Sequence, residues 1–456
     1  MYKFNYKLKN LIIIFSSILC LNLTNSINSY FVTIEPTKIS QFEIERLNRT
    51  FNMLLKRSPA EPLDYRKVEV GTLKISDNAK TYVNQVLDAN RLSYGPFLQK
   101  FEKLFAKAHE GKFALISNSG TSSLQIAVQA LKELHGWQNG DEIIVPAVTF
   151  VASSNVILHN NLVPVFVDVD QDFYELNPKL LEAKITPKTR AIMPVHLFGQ
   201  PCDMGPIWEL AKKYNLKIIE DSCETMLARY KGKMVGTLGD IGCFSTYVAH
   251  LLTTGVGGFS VTNNPEYAVM MRSLLNHGRD SIYITIDDDD NLSSEQLKEI
   301  IARRFSFVSI GHSFRVTEME GALGVAQMEI LPEIINKRRA NAAYLLEKLQ
   351  GLQEFMQLPA TRAETEHSFM MFPMVLKNQT KVNLVNYLEK HGIETRDMLP
   401  LINQPIYQKL FKINVKDYPV ADWINTNGFY IGCHQDLTVP DLDYVVRVLK
   451  SYFEQK

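Results

Sequence analysis

From about Val68 onward the chain alternates short apolar runs with amphipathic helical patterns, and this alternation restricts the fold more than any other feature. The strand candidates are Phe113–Ser117, Glu142–Val145, Val163–Val169, Ala191–His196, Lys217–Glu220, Gly242–Tyr247 and Gly258–Thr262. Helical patterns lie between them; in Ser122–Leu134, the side chains of Leu124, Ala127, Val128 and Leu131 share one face. Strand and helix in alternation bury their apolar surfaces best as a mostly parallel sheet covered on both faces. The predicted fold class is therefore α/β. A large domain spans 67–335. A smaller C-terminal α/β domain, 336–456, carries Phe369–Leu376, the helix Val382–His391 and the helix Asp441–Phe453. A long helix is predicted from Thr317 through Leu331, continuing after Pro332 towards Lys348.

Composition narrows the function classes. The chain has 456 residues, 46% hydrophobic and 21% charged, with zero formal net charge. That is an ordinary globular balance, with no bulk attraction to nucleic acid or an anionic membrane. Cysteines stand at 20, 202, 223, 243 and 433 without a CxxC pair, which argues against zinc, iron–sulfur and disulfide frameworks. Ile286–Asp290 holds four consecutive aspartates. Like charges in one local run repel, so it reads as a solvated loop insertion, and no metal site is predicted. The N-terminus is the exception. Lys3, Lys7 and Lys9 precede the apolar run Leu11–Leu23, which marks 1–29 as a targeting or signal-like segment, with a membrane anchor as the alternative. An extension, 30–66, follows, with a helical stretch Ile39–Leu55; the sequons at Asn22 and Asn48 matter only in a secretory compartment.

Four places combine strand ends with polar or aromatic residues. Gly120, Thr121 and Ser122 follow a strand and open a helix, an arrangement that can hold an anion on backbone N–H groups or serve as a plain helix cap. Phe150 follows a strand and could stack on a ring or belong to the core. Asp221 ends the run KIIED, where ligands bind in α/β sheets, although it could also cap a helix. Ser245 lies at the end of another strand, before the glycine-rich turn FSTYVAHLLTTGVGG, Phe244–Gly258.

Together these segments resemble the DegT/StrS-type sugar aminotransferases, from about Val68 to the C-terminus. The likeness is carried by SYGPFLQKFEKLFA (Ser93–Ala106), NSGTSSLQIA, VTFVASSNVILHNNLVPVFVDVD, HLFGQPCDM (His196–Met204), IIEDSCETM, GDIGCFSTY, GHSFRVTEMEGALGVAQME (Gly311–Glu329) and GIETRDMLPLINQP (Gly392–Pro405). The resemblance implies a type I pyridoxal phosphate (PLP) enzyme fold, a homodimer with sites at its interface, nucleotide-linked keto-sugar substrates and an amino donor such as glutamate. It implies Gly120, Thr121, Ser122 and Ser245 at the cofactor phosphate, Phe150 on the ring and Asp221 at the pyridine nitrogen.

Three positions depart from the pattern. His250 stands where members carry the lysine that forms a Schiff base with PLP. Glu224 stands where many have glutamine near the cofactor hydroxyl. Ser313 stands where many have an asparagine that reaches the partner subunit's phosphate. An imidazole can move protons near neutral pH, but only a primary amine can form a stable imine. The chain is thus expected to hold its cofactor non-covalently, with pyridoxamine phosphate (PMP) as the working form. Nucleotide-sugar 3-dehydratases similar to this family also have histidine here. The implied chemistry has His250 take a proton from the cofactor methylene carbon while Asp221 keeps the ring electron-accepting and the sugar 3-hydroxyl leaves. The iron–sulfur version is excluded, because only Cys433 follows the histidine. Two other readings stay open: transamination with a displaced lysine, and a catalytically silent binding protein with a structural histidine. His196, Arg396, Gln404 and His434 are substrate candidates, each with a core or surface role as the alternative.

Overall fold

The computed structural model describes residues 65–280, 293–303 and 305–454. The targeting-like segment 1–29, the stretch 39–55, both sequons and the aspartate run lie outside the described residues. In chain order, α1 (Asp77–Asp88) and α2 (Pro96–Ala108) precede β1 (Phe113–Ser117), α3 (Gly120–Leu134), β2 (Glu142–Pro146), α4 (Val151–His159), β3 (Val163–Val167), β4 (Thr189–Ile192), α5 (Met204–Tyr214) and β5 (Lys217–Asp221). A hairpin, β6 (Arg229–Tyr230) and β7 (Lys233–Met234), leads to β8 (Ile241–Ser245), β9 (Gly258–Thr262), α6 (Pro265–Leu275), α7 (Ser294–Arg303) and α8 (Glu318–Leu349). Then come β10 (Met356–Gln357), β11 (Thr365–Glu366), β12 (Met371–Leu376), α9 (Val382–Lys390), β13 (Thr395–Asp397), α10 (Pro405–Phe411), α11 (Pro419–Asn427), β14 (Gly428–Gly432) and α12 (Val439–Glu454).

Seven strands form the main sheet in the order β1-β9-β8-β5-β4-β2-β3. Strands β8, β5, β4, β2 and β3 pair in parallel, and β9 runs antiparallel to both β1 and β8. The C-terminal ends of β1, β2, β5 and β8 therefore share one edge, where α/β sheets bind their ligands. Their near-continuous apolar runs are what a sheet buried on both faces requires. Ile143, Ile144, Val145, Ile219 and Phe244 have no exposed surface. Strand β4 is shorter than predicted: Pro194 has no N–H for the ladder, and the chain leaves it before a single bridge from Val195 to Asp221.

A second sheet, β10-β12-β14-β13, is built from residues after 355. The predicted boundary at 335/336 falls inside α8, which runs unbroken through Pro332. That proline is exposed, so water can reach the carbonyl left without an N–H partner. At its N-terminus α8 is fixed by Glu320, whose carboxylate accepts the Thr317 N–H at 2.8 Å. Gly321 and Gly324 then let α2 approach; a Cβ on Gly321 would stand 2.6 Å from the Leu98 nitrogen. Among the described residues no helix is long and apolar enough to cross a membrane.

Candidate active site

The edge of the main sheet holds a tight backbone cradle. Ser119 is extended and caps α3, its hydroxyl accepting the Ser122 N–H at 3.0 Å. The Ser122 hydroxyl donates to Asn118 at 2.6 Å. A Cβ on Gly120 would lie 2.7 Å from Cys223 Sγ and 2.9 Å from Ser245 Cβ, and one on Gly258 would lie 2.5 Å from the Gly120 nitrogen. The first N–H groups of a helix have no intrahelical partner, so this meeting of α3 with the ends of β5 and β8 suits an anion. Thr121 is exposed beside it, and Ser245 is buried, with its oxygen accepting the Tyr247 N–H at 3.3 Å.

Phe150 and Asp221 stand at the same edge. Phe150 is the N-cap of α4 and remains 55% exposed, unusual for a phenylalanine and open to a stacking partner. Asp221 is buried, and its carboxylate accepts from the Ser153 hydroxyl at 2.7 Å and from the Cys223 N–H at 3.2 Å. Ser153 was not singled out from sequence. Its position one turn after Phe150 is the signal, because the helix that presents the ring then also braces the acid. Glu224 accepts the Phe198 N–H at 3.0 Å. Burial pushes its carboxyl up to about 7, and the Asp221 charge adds to this. Burial and then the charge on Glu224 raise the Tyr430 phenol, whose ring lies 5.4 Å from that of Phe198. Through Tyr430 the second sheet thus reaches the site.

His250 sits at the tip of the loop between β8 and β9. The loop is tied at its base by Thr246 N–H to Gly257 O and Thr254 N–H to Thr246 O, both 2.9 Å. Gly255 and Gly257 take φ of +87° and +148°, which explains the glycines of the turn. His250 lines a cavity of about 380 Å³ with Leu251, Lys74, Lys337 and Gln435. Gly120, Phe150, Asp221 and Ser245 are not part of that lining. Its Nδ1 is buried and finds no hydrogen-bond partner among the described residues. Burial, reinforced by the Arg338 guanidinium, lowers its pKa to about 4, so the ring is a neutral base at pH 7.

The remaining candidates fall elsewhere. His196 needs correction as a substrate contact: it is fully buried, with Nδ1 accepting the Cys202 N–H at 2.9 Å and Nε2 on Glu220 at 3.0 Å. Both nitrogens are committed to the core. Ser313 is exposed and accepts from Arg315 at 3.2 Å. Arg396 lies on β13 opposite Tyr430 and pairs with Glu394. Gln404 is the N-cap of α10 and donates to the Pro400 carbonyl at 3.1 Å. His434 is buried in the turn after β14, and its carbonyl accepts from Asn341 at 2.8 Å.

Residues 74–450 match the DegT/DnrJ/EryC1/StrS aminotransferase family. The chain belongs to this family. It is 34% identical to a GDP-perosamine synthase of Caulobacter vibrioides over 85% of this chain and 98% of that protein. It is 29% identical to a GDP-4-keto-6-deoxy-D-mannose 3-dehydratase of Escherichia coli O55:H7, over 81% and 95%. A solved E. coli GDP-4-keto-6-deoxy-D-mannose 3-dehydratase with bound hydrated PLP superposes with a TM-score of 0.75 at 27% identity, covering 84% of this chain and 99% of that one. The fold is that of the PLP-dependent aminotransferases and dehydratases, an α/β fold with a mostly parallel central sheet. The residues present fit a phosphorylated pyridine: a cradle closed to any side chain at Gly120, an open aromatic at Phe150 and a buried acid at Asp221.

Proposed function

We propose that this chain is a PLP/PMP-dependent enzyme acting on nucleotide-linked 4-keto sugars, that it holds the cofactor without a covalent bond, and that it removes the sugar 3-hydroxyl with His250 as the base. The bound cofactor supplies the amine that meets the keto carbon and a ring that accepts electrons. Gly120, Ser122 and Ser245 would hold the phosphate and Phe150 would cover the ring. Asp221, aimed by Ser153, keeps the pyridine nitrogen protonated. His250 would serve as the base, its unbonded Nδ1 being free to accept a proton. The reading is carried by one observation: the histidine of the cofactor-type loop is neutral, with an unbonded Nδ1. Phe305, Phe307, Val308 and Ile310 stand exposed within six residues, an apolar surface that supports a homodimer as the working unit.

Incubation with PMP, glutamate and a panel of nucleotide-linked 4-keto sugars tests the reading. A product lacking the 3-hydroxyl is expected; an aminated product with no deoxygenated one overturns it. Transamination is the second reading, and a specific observation favours it: Lys74 and Lys337 share the His250 cavity and carry the primary amine that histidine lacks.

A further inference from the structure

The acid at the end of β5 is held by a line of hydroxyls that leads to a distant part of the chain. Asp221 Oδ2 accepts from the Ser153 hydroxyl at 2.7 Å, and the Ser153 and Thr149 hydroxyl oxygens lie 2.8 Å apart. All three side chains are buried, so solvent does not compete for these bonds. As a carboxylate Asp221 only accepts, so the single Ser153 proton goes to it. The Ser153 oxygen then accepts, and the Thr149 proton points to it. The Ser153 hydroxyl also lies 3.3 Å from the Phe150 carbonyl, a longer contact than the one to Asp221. With the Cys223 N–H on Oδ1 at 3.2 Å, both carboxylate oxygens are fixed and each keeps a lone pair.

The far end of this line is anchored outside the main sheet. The Thr149 N–H donates to the Leu399 carbonyl at 3.0 Å, and the Leu401 N–H donates to the Ala147 carbonyl at 2.9 Å. Val148 and Pro400 form a bridge between them, so the turn from β2 into α4 is paired with the segment after β13. Leu399 takes φ of +59°, a conformation that a leucine adopts only where its surroundings hold it. Tyr407 of α10 donates to Asn155 at 2.6 Å and ties α4 to the same segment.

We propose that Thr149 and Ser153 are positioning residues: their two hydroxyls, anchored on the segment after β13, hold the Asp221 carboxylate in the orientation that meets the pyridine nitrogen of the cofactor. The inference rests on the reading of Asp221 as the partner of that nitrogen. Both hydroxyls act through Asp221. Thr149 strengthens the bond that Ser153 makes, because hydrogen bonds in a chain polarise one another.

The full-chain protein is loaded with PMP carrying ¹⁵N in the pyridine ring, and the ring signal is followed by NMR against pH. Ser153→Ala should lower the pyridinium midpoint by about one unit, a tenfold loss of proton affinity. Thr149→Val should lower that affinity about threefold, since Ser153 still donates. Thr149→Ser, which keeps the hydroxyl, should match the unsubstituted protein. An unmoved midpoint in folded Ser153→Ala and Thr149→Val overturns the proposal, even if PMP binds more weakly, because lost packing alone would do that. If Ser153→Ala does not fold, Thr149→Val and Thr149→Ser decide between the same two results. Asp221→Asn separates the proposal from the reading beneath it. A midpoint that Asp221→Asn moves and the hydroxyl variants do not removes the positioning role alone; one that Asp221→Asn leaves in place removes Asp221 from the nitrogen, and the positioning role with it.

Discussion

His196 and His250 lie after β4 and β8, two strands that flank β5 in one sheet, and are treated in opposite ways. His196 takes the Cys202 N–H on Nδ1, so its Nε2 carries the proton and donates it to Glu220. Glu220 also accepts the N–H groups of Gly236, Leu238 and Gly239 at 2.6–2.7 Å. Among the described residues His250 leaves Nδ1 unbonded. A fully bonded buried group rigidifies its surroundings; an unbonded one costs stability and persists where something else uses it. The same contrast separates two adjacent acids. Glu220 is enclosed by backbone donors, while the carboxylate of Asp221, on the other face of β5, accepts among the described residues from Ser153 and Cys223 and can take a further donor.

The contrast can be broken at either end. His250→Asn should lower formation of the deoxygenated sugar by about 10²–10⁴, the usual worth of a general base. Unchanged turnover would remove His250 from the chemistry. Glu220→Ala should cost roughly 3–5 kcal/mol in denaturant unfolding, since it strands three N–H groups and an imidazole inside the core. A stability loss below about 1 kcal/mol would show the bonded pair to be dispensable.

Gly120→Val probes the cradle. Its side chain has no room beside Cys223 and Ser245, so PLP affinity measured by absorbance should fall about 10–100-fold, equivalent to roughly 1–3 kcal/mol of overpacking. Undiminished binding would place the phosphate elsewhere. Glu224→Gln gives the smallest effect, and it depends on pH. The native carboxyl is raised from 4.5 to about 7, so the folded state binds the proton more tightly than the unfolded state. Its contribution is fully present below the unfolded value and is lost as pH rises through about 7. The glutamine variant should be the more stable at pH 8 by roughly 1–2 kcal/mol, less than the full shift because Glu224 is not wholly buried. Equal stability at pH 5 and pH 8 for both proteins would contradict the assignment.

Much of the large sheet was legible because its strands are short apolar runs punctuated by polar turns, and β1 and β9 fall where the pattern puts them. The cradle was legible for a similar reason: Ser119–Ser122 and Ser245 declare themselves by their positions after strands. What local pattern could not show depends on packing between distant segments. His196 is committed by Glu220, a residue of another strand. The helix was expected to continue past Pro332, and α8 does so, with the proline exposed. Arg338, within KRRANAA, looks like one of a basic surface face; only the docking of β12 and the turn after β14 against α8 encloses it.

Borohydride reduction tests the central claim, a cofactor held by the cradle and not by a lysine. The protein is loaded with PLP, reduced, dialysed and weighed intact. The account predicts no added mass and complete loss of cofactor absorbance on dialysis. A pyridoxyl increment on any lysine, Lys74 and Lys337 being the first to map, would contradict it.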